Sequence, residues 1–307
     1  MKSKNLNFVF LIIIIINIVM QFLVAFVPAL EPANLFQNVL VSEGSVIAPA
    51  LVYLFTSRVK INNILGFRKM RISTWLCCIL FTVLCGPVAT LANAISMLFV
   101  DNTVTGMSGS ILDMPFITML LLIGFAGPIC EEITFRGIFY GGYRSSGLAW
   151  RAVLGSAIAF GVMHLNFNQA AYAFVLGIAM ALLVEACGSL WGSITMHVLF
   201  NSTNVCILYL YNHFFADTEV GALAEDIEYT QNDMLLLIGS YLMLAAIFMC
   251  LAGCVLVLIA KLEKRDLILA EQFWKREKKQ GKLISVSFIM AIVIAVIFMI
   301  WLEMLKK

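Results

Sequence analysis

Apolar residues run along this chain in long blocks, and the polar positions between them fall in short clusters. A helix crossing roughly 30 Å of hydrocarbon takes about 20 mostly apolar residues, so each block approaching that length reads as a spanning helix. The blocks lie at approximately 8–30, 38–57, 73–100, 115–142, 149–166, 169–187, 189–211, 234–260 and 283–304. They predict an all-α, polytopic transmembrane helical bundle with eight or nine spans. Spans 149–166 and 169–187 are the shortest and are expected to be tilted or kinked. No internal repeat and no Gly/Ser- or Pro-rich linker interrupts the pattern, so 1–307 reads as a single integral-membrane domain.

Composition narrows the class. The chain is 62% hydrophobic and 12% charged, with a mean hydropathy of +0.98. That is too little charge to solvate a globule of 307 residues, which excludes a soluble enzyme, a disordered protein and a secreted disulfide scaffold. The formal net charge of +2 gives no reason to expect a nucleic-acid partner. All eight cysteines sit in apolar runs without a C-x-x-C spacing, which argues against disulfides and a structural zinc site. Leu251-Ala252-Gly253-Cys254 mimics a lipidation box but lies deep in the chain. The first block, preceded by Lys2 and Lys4, is too long for a signal sequence and has no A-x-A site after it, so a retained first helix is expected.

The placement of charge sets an expected orientation, because Lys and Arg accumulate on the cytoplasmic side. Basic residues precede span one, follow span two (Arg58, Lys60, Arg68, Lys69, Arg71), follow span four (Arg144, Arg151) and crowd 261–282 after span eight. Acidic residues mark the alternate loops: Glu31 and Glu43, Asp101 and Asp113, then Asp217 to Asp233. The N-terminus is therefore expected in the cytoplasm, although Lys306 and Lys307 pull against an external C-terminus. The stretch 261–282, with Trp274 inside it, reads as a solvated positive-inside loop rather than an amphipathic segment on lipid headgroups.

Ionisable groups inside a span cost about 2.5–3.5 kcal/mol each on insertion scales, and they face a partner or a cavity. Here they concentrate in the middle of the chain: Glu131, Glu132 and Arg136 in span four, His164 in span five, Glu185 in span six, and His197 with Asn201 in span seven. Neighbouring positions on a helix point about 100° apart, so Glu131 and Glu132 are not expected to face one cavity. Arg136 stands four residues after Glu132, the spacing at which an acid and a base meet. Pairing these two as a structural ion pair leaves Glu131 for the cavity as a general base. Phe160 and His164 share one helical face, and His197 and Asn201 repeat the spacing. A carboxylate, two imidazoles and an amide on three helices can activate water and stabilise an oxyanion. Glu185 reads as interfacial and His213 as surface. Read singly, the same residues fit interhelical hydrogen bonding worth about 0.6–2 kcal/mol. They also suit a transporter that relays protons or binds a cation, or a catalytically silent scaffold. Counting along straight helices puts Glu131 toward the cytoplasmic end of span four and His164 toward the external end of span five. Bringing them together is expected to take a displaced span five or a break at Gly127-Pro128.

Glu131-Glu132-Ile-Thr-Phe-Arg136 resembles the EExxxR motif, Phe160-Gly-Val-Met-His164 the FxxxH motif and His197-Val-Leu-Phe-Asn201 the HxxxN motif of the CPBP (CAAX protease and bacteriocin-processing, Abi-type) intramembrane proteases. The resemblance covers about 115–211, where the middle helices would form the catalytic cavity. It implies peptide-bond hydrolysis, with Glu131 and His164 activating water, His197 and Asn201 binding the oxyanion, and Glu132, Arg136 and Phe160 supporting the site. The family has also been described as metalloproteases, which would make Glu131, His164 and His197 zinc ligands; a metal-free site is favoured, because Asn201 suits an oxyanion better than zinc. The expected partners are a lipid bilayer and a peptide or membrane-protein substrate. In a bacterium these imply the plasma membrane and peptide maturation, pheromone processing or bacteriocin immunity. In a prenylating cell they imply prenylated CAAX proteins.

Overall fold

The computed structural model describes residues 2–27, 34–57, 59–145, 149–215, 218, 230–265 and 283–306. Every regular element among them is helical: α1 (Ser3–Phe26), α2 (Leu35–Thr56), the short α3 (Ile61–Leu65), α4 (Ile72–Ser96), α5 (Thr103–Leu112), α6 (Phe116–Arg144), α7 (Ala149–Met163), α8 (Phe167–Cys187), α9 (Leu190–Phe215), α10 (Gln231–Leu262) and α11 (Val286–Leu305). Helix starts follow the side chains that can cap them. Asn34, Asn166 and Ser285 each accept from a backbone N–H three residues on, and Thr230 with Asp233 forms a reciprocal capping box on α10.

Among the described residues, seven helices are long and apolar enough to cross a membrane: α1, α2, α4, α6, α8, α10 and α11. Two of the nine sequence blocks do not reach that standard, for different reasons. The α7 helix has 15 residues, too few for a full crossing. The α9 helix has 26 residues but carries Ser193, His197, Asn201, Ser202 and Asn204 among its apolar ones. The block at 169–187, expected to be distorted, is a regular 21-residue helix.

The bundle packs α10 along α4, α8 against both α7 and α4, and α11 along α1. Apolar side chains such as Ile72, Leu236 and Met243 point outward and stay largely exposed, as suits a surface solvated by lipid tails. Lipid is as apolar as leucine, so helix association there rests on close packing and interhelical hydrogen bonds. Polar contacts accordingly tie the bundle at its ends. Tyr143 Oη donates to Asn7 (2.6 Å), whose Nδ2 donates to the Leu283 carbonyl (2.6 Å), joining α6, α1 and the lead into α11. Tyr140 donates to Glu185, and Arg144 pairs with the same carboxylate at 3.1 Å. Glu185 therefore clamps α8 to the end of α6. His213 is exposed. Most of the basic stretch 261–282, with Trp274, and most of the acidic cluster 217–229 lie outside the described residues.

The helix that carries the acid pair is not a uniform α-helix. Its Leu120–Ala126 and Ile133–Tyr140 segments are π-helical, flanking an α-helical turn at Gly127–Glu132. Such wide turns hold one extra residue each and cluster at functional sites. Pro128 explains the first. Lacking an N–H, it leaves a carbonyl one turn earlier without its intrahelical donor, Ile123 in π geometry or Gly124 in α geometry. Both are served from α9: Asn201 Nδ2 donates to the Ile123 carbonyl and Ser202 Oγ to the Gly124 carbonyl, each at 3.2 Å.

Candidate active site

Four helices bring the central polar residues together. Arg136 and Glu132 form the ion pair expected from their spacing, with Nη1 2.7 Å from Oε1 and both side chains shut off from solvent. The guanidinium lies 4.1 Å above the Phe160 ring, a cation–π contact that gives the charge a second favourable neighbour. Gly177 on α8 completes the slot, since a Cβ there would stand 3.0 Å from Ala157 Cα and 3.2 Å from Arg136 Nη2. The slot is not fully satisfied: Arg136 Nε and Nη2, Glu132 Oε2 and Thr134 Oγ1 are buried with no hydrogen-bond partner.

His197 corrects one expectation. Its Nδ1 stands 3.0 Å from Glu132 Oε1, while its Nε2 stands 3.5 Å from Glu131 Oε2. Neighbouring glutamates do diverge by about 100°, yet both meet the same imidazole. The ring lies between the two directions and turns one nitrogen to each, so Glu132 serves Arg136 and His197 at once. The cluster is closed, with Glu131 at 8% and His197 at 6% exposure.

The Phe160 ring joins the second histidine to this group, meeting His164 edge-on at 5.1 Å and His197 at 5.6 Å between centroids. His164 follows the last residue of α7, and its Nδ1 lies 2.9 Å from the Phe160 carbonyl, a helix-terminal acceptor. A carbonyl can only accept, so Nδ1 carries the proton and Nε2 keeps a lone pair. The next residue, Leu165, turns the chain at φ 54°, and Asn166 then caps α8 while donating to the His164 carbonyl. Asn168 fastens the turn to α4 through Asn93 (2.8 Å) and Ser96 (2.9 Å).

The expected mismatch in height is absent. Glu131 stands about 20 Å before the end of α6, and His164 about as far along α7 from the connection between them. Helices running in opposite directions from one connection place such residues level, and α6 continues through Gly127-Pro128 without a break. Asn201 lies one turn from His197, and its amide docks on the wide turn of α6 with one N–H still available.

The sequence pattern places Glu43 in a loop that marks topology. It lies instead within α2 and reaches α6, where its Oε1 is 3.2 Å from the position a Cβ on Gly127 would take. Nothing in its sequence neighbourhood signals this, because the partner is on a distant helix. As for a metal, no three His, Cys, Asp or Glu side chains among the described residues are gathered so as to hold an ion. Glu131 and His197 are neighbours, and the Phe160 ring touches both His164 and His197.

A profile of the type II CAAX prenyl endopeptidase Rce1-like family matches residues 113–203, the stretch from just before α6 into α9. A protein of Bacillus subtilis (strain 168) named YdiL, described as a candidate membrane peptidase, is 30% identical over 84 residues, which is 27% of this chain and 34% of that protein. The matched stretch thus spans about a third of that curated relative's length. No solved structure matches significantly. The paired glutamates, the arginine and both histidines all fall inside the matched stretch, and it is over this stretch that the chain resembles the Rce1-like CAAX prenyl endopeptidases.

Proposed function

We propose that this protein is an intramembrane endopeptidase that hydrolyses a peptide bond of a membrane-associated or peptide substrate. The observation that carries the reading is the buried set in which His197 is gripped by Glu131 and Glu132, with Arg136 neutralising Glu132 and Phe160 walling both histidines. In this reading Glu132 and Arg136 are support, which leaves Glu131 and His164 as the groups that take a proton from water. The Nε2 lone pair of His164 is the acceptor its backbone contact leaves open. The 3.5 Å between Glu131 and His197 exceeds a direct hydrogen bond, so this pair can part around an incoming group. Water oxygen then bonds to the scissile carbonyl carbon, and the carbonyl π pair moves onto oxygen. The spare N–H of Asn201 stabilises that oxyanion, joined by His197 when its Nε2 as well as its Nδ1 carries a proton. Its collapse breaks the C–N bond, and the proton taken from water goes to the leaving amine.

The same reading makes α9 an eighth crossing and α7 a short helix sunk into the bundle, in a protein with a cytoplasmic N-terminus, since charged and polar groups are tolerated there when they face the bundle interior. The test is terminal peptidomics of cells carrying wild type or Glu131→Ala at matched membrane levels. New peptide termini that depend on wild type are expected. Identical profiles together with pH-dependent ion flux would replace the peptidase reading with transport. Purified activity is expected to survive a chelator unchanged; loss that added zinc restores would overturn the metal-free site.

A further inference from the structure

We propose that Glu43 is a specificity-determining residue of this site, receiving a basic side chain of the substrate close to the scissile bond. The inference rests on the peptidase reading for its reaction, but its binding claim can be tested separately. Glu43 Oε2 is shielded from solvent and has no hydrogen-bond partner, and an acceptor left in that state costs about 1–3 kcal/mol, more when charged. Its position is defined by Gly127, whose missing side chain gives Glu43 Oε1 its room. Gly127 precedes Glu131 by four residues, so the two lie on one face of α6, about 6 Å apart along the axis.

Neither Glu43 nor Glu131 has a basic partner from Lys or Arg among the described residues, because the nearby Arg136 is committed to Glu132. The chemistry that complements an unpartnered carboxylate in apolar surroundings is an ammonium or guanidinium, held by charge-assisted hydrogen bonds. A separation of about 6 Å corresponds to two residues of extended peptide. The site would thus select Lys or Arg within two residues of the bond that Glu131 addresses.

The experiment uses the full-length protein in lipid nanodiscs, as wild type, Glu43→Gln and Glu43→Lys, with peptide pairs that differ only by Lys or norleucine near the cleaved bond. Wild type should cleave the Lys peptide better by about tenfold or more in kcat/KM, mostly through KM. Glu43→Gln should erase that preference, bringing the Lys peptide down to the level of the norleucine peptide, and Glu43→Lys should transfer it to a Glu peptide. Equal losses on both peptides, or a preference that survives Glu43→Gln, would overturn the proposal. Equilibrium binding of the same peptides to Glu131→Gln separates the two readings. Tighter binding of the Lys peptide that vanishes in the Glu43→Gln/Glu131→Gln double variant supports the recognition site even if no peptide is ever cleaved. Indifference to Lys in that assay sinks it.

Discussion

Glu131→Gln is expected to abolish peptide hydrolysis, lowering kcat/KM by about a thousandfold or more, while leaving the fold intact. The substitution keeps size and hydrogen-bonding shape but removes the basicity on which proton abstraction depends, and general-base contributions of about 10²–10⁴ are typical. Glu131 makes no ion pair with Arg136, so its neutralisation does not strand a buried cation. Its contact with His197 is a loose one, and the amide of Gln can still approach that ring. Progress curves on a cleaved peptide, compared at equal folded protein by size-exclusion chromatography, provide the measurement. Activity within tenfold of wild type would remove Glu131 from the reaction.

The largest effect on stability is expected from Arg136→Met. Methionine matches much of the stem volume but takes away the charge that balances Glu132, which is fully buried. Breaking a buried pair by removing one member costs about 3–5 kcal/mol, because the survivor is left uncompensated. His197 holds only the oxygen that Arg136 also uses, and Glu132 Oε2 already lacks a partner. The double variant Glu132→Gln/Arg136→Met should recover most of the loss, since removing both charges relieves the desolvation that the pair must offset. Thermal unfolding in detergent reads both. A single variant as stable as wild type would show that the pair is dispensable to the bundle.

What the sequence discloses here follows the range of its interactions. The Glu132–Arg136 pair and the shared faces of Phe160 with His164 and of His197 with Asn201 are separations of four residues, so helical periodicity alone reveals them. The seven long apolar helices are legible because length and apolarity are properties of a single segment. Glu43 escapes such reading, because its significance comes from Gly127, and no local pattern links α2 to α6. The meeting of Glu131 and Glu132 on one ring escapes it too, since ideal helical angles describe where side chains start and not where five-atom chains end. The turn after His164 lies between these cases: Asn166 stands as a helix-start signal before an apolar run, but the left-handed Leu165 and the bridge from Asn168 to α4 appear only in three dimensions.

The wide turns of α6 have a consequence for how this protein can change over generations. Each is a point where the helix holds a surplus residue while the turns on either side keep their phase. Removing one residue between Ile133 and Tyr140 would let the segment relax to an α-helix and leave Tyr140, Tyr143 and Arg144 facing Glu185 and Asn7 much as before. Removing one from the α-helical turn Gly127–Glu132, which has no surplus to give up, would instead rotate one side of the helix against the other by about 100°. This helix can therefore shorten only where it is already wide, as a rope can be drawn in only where it has slack.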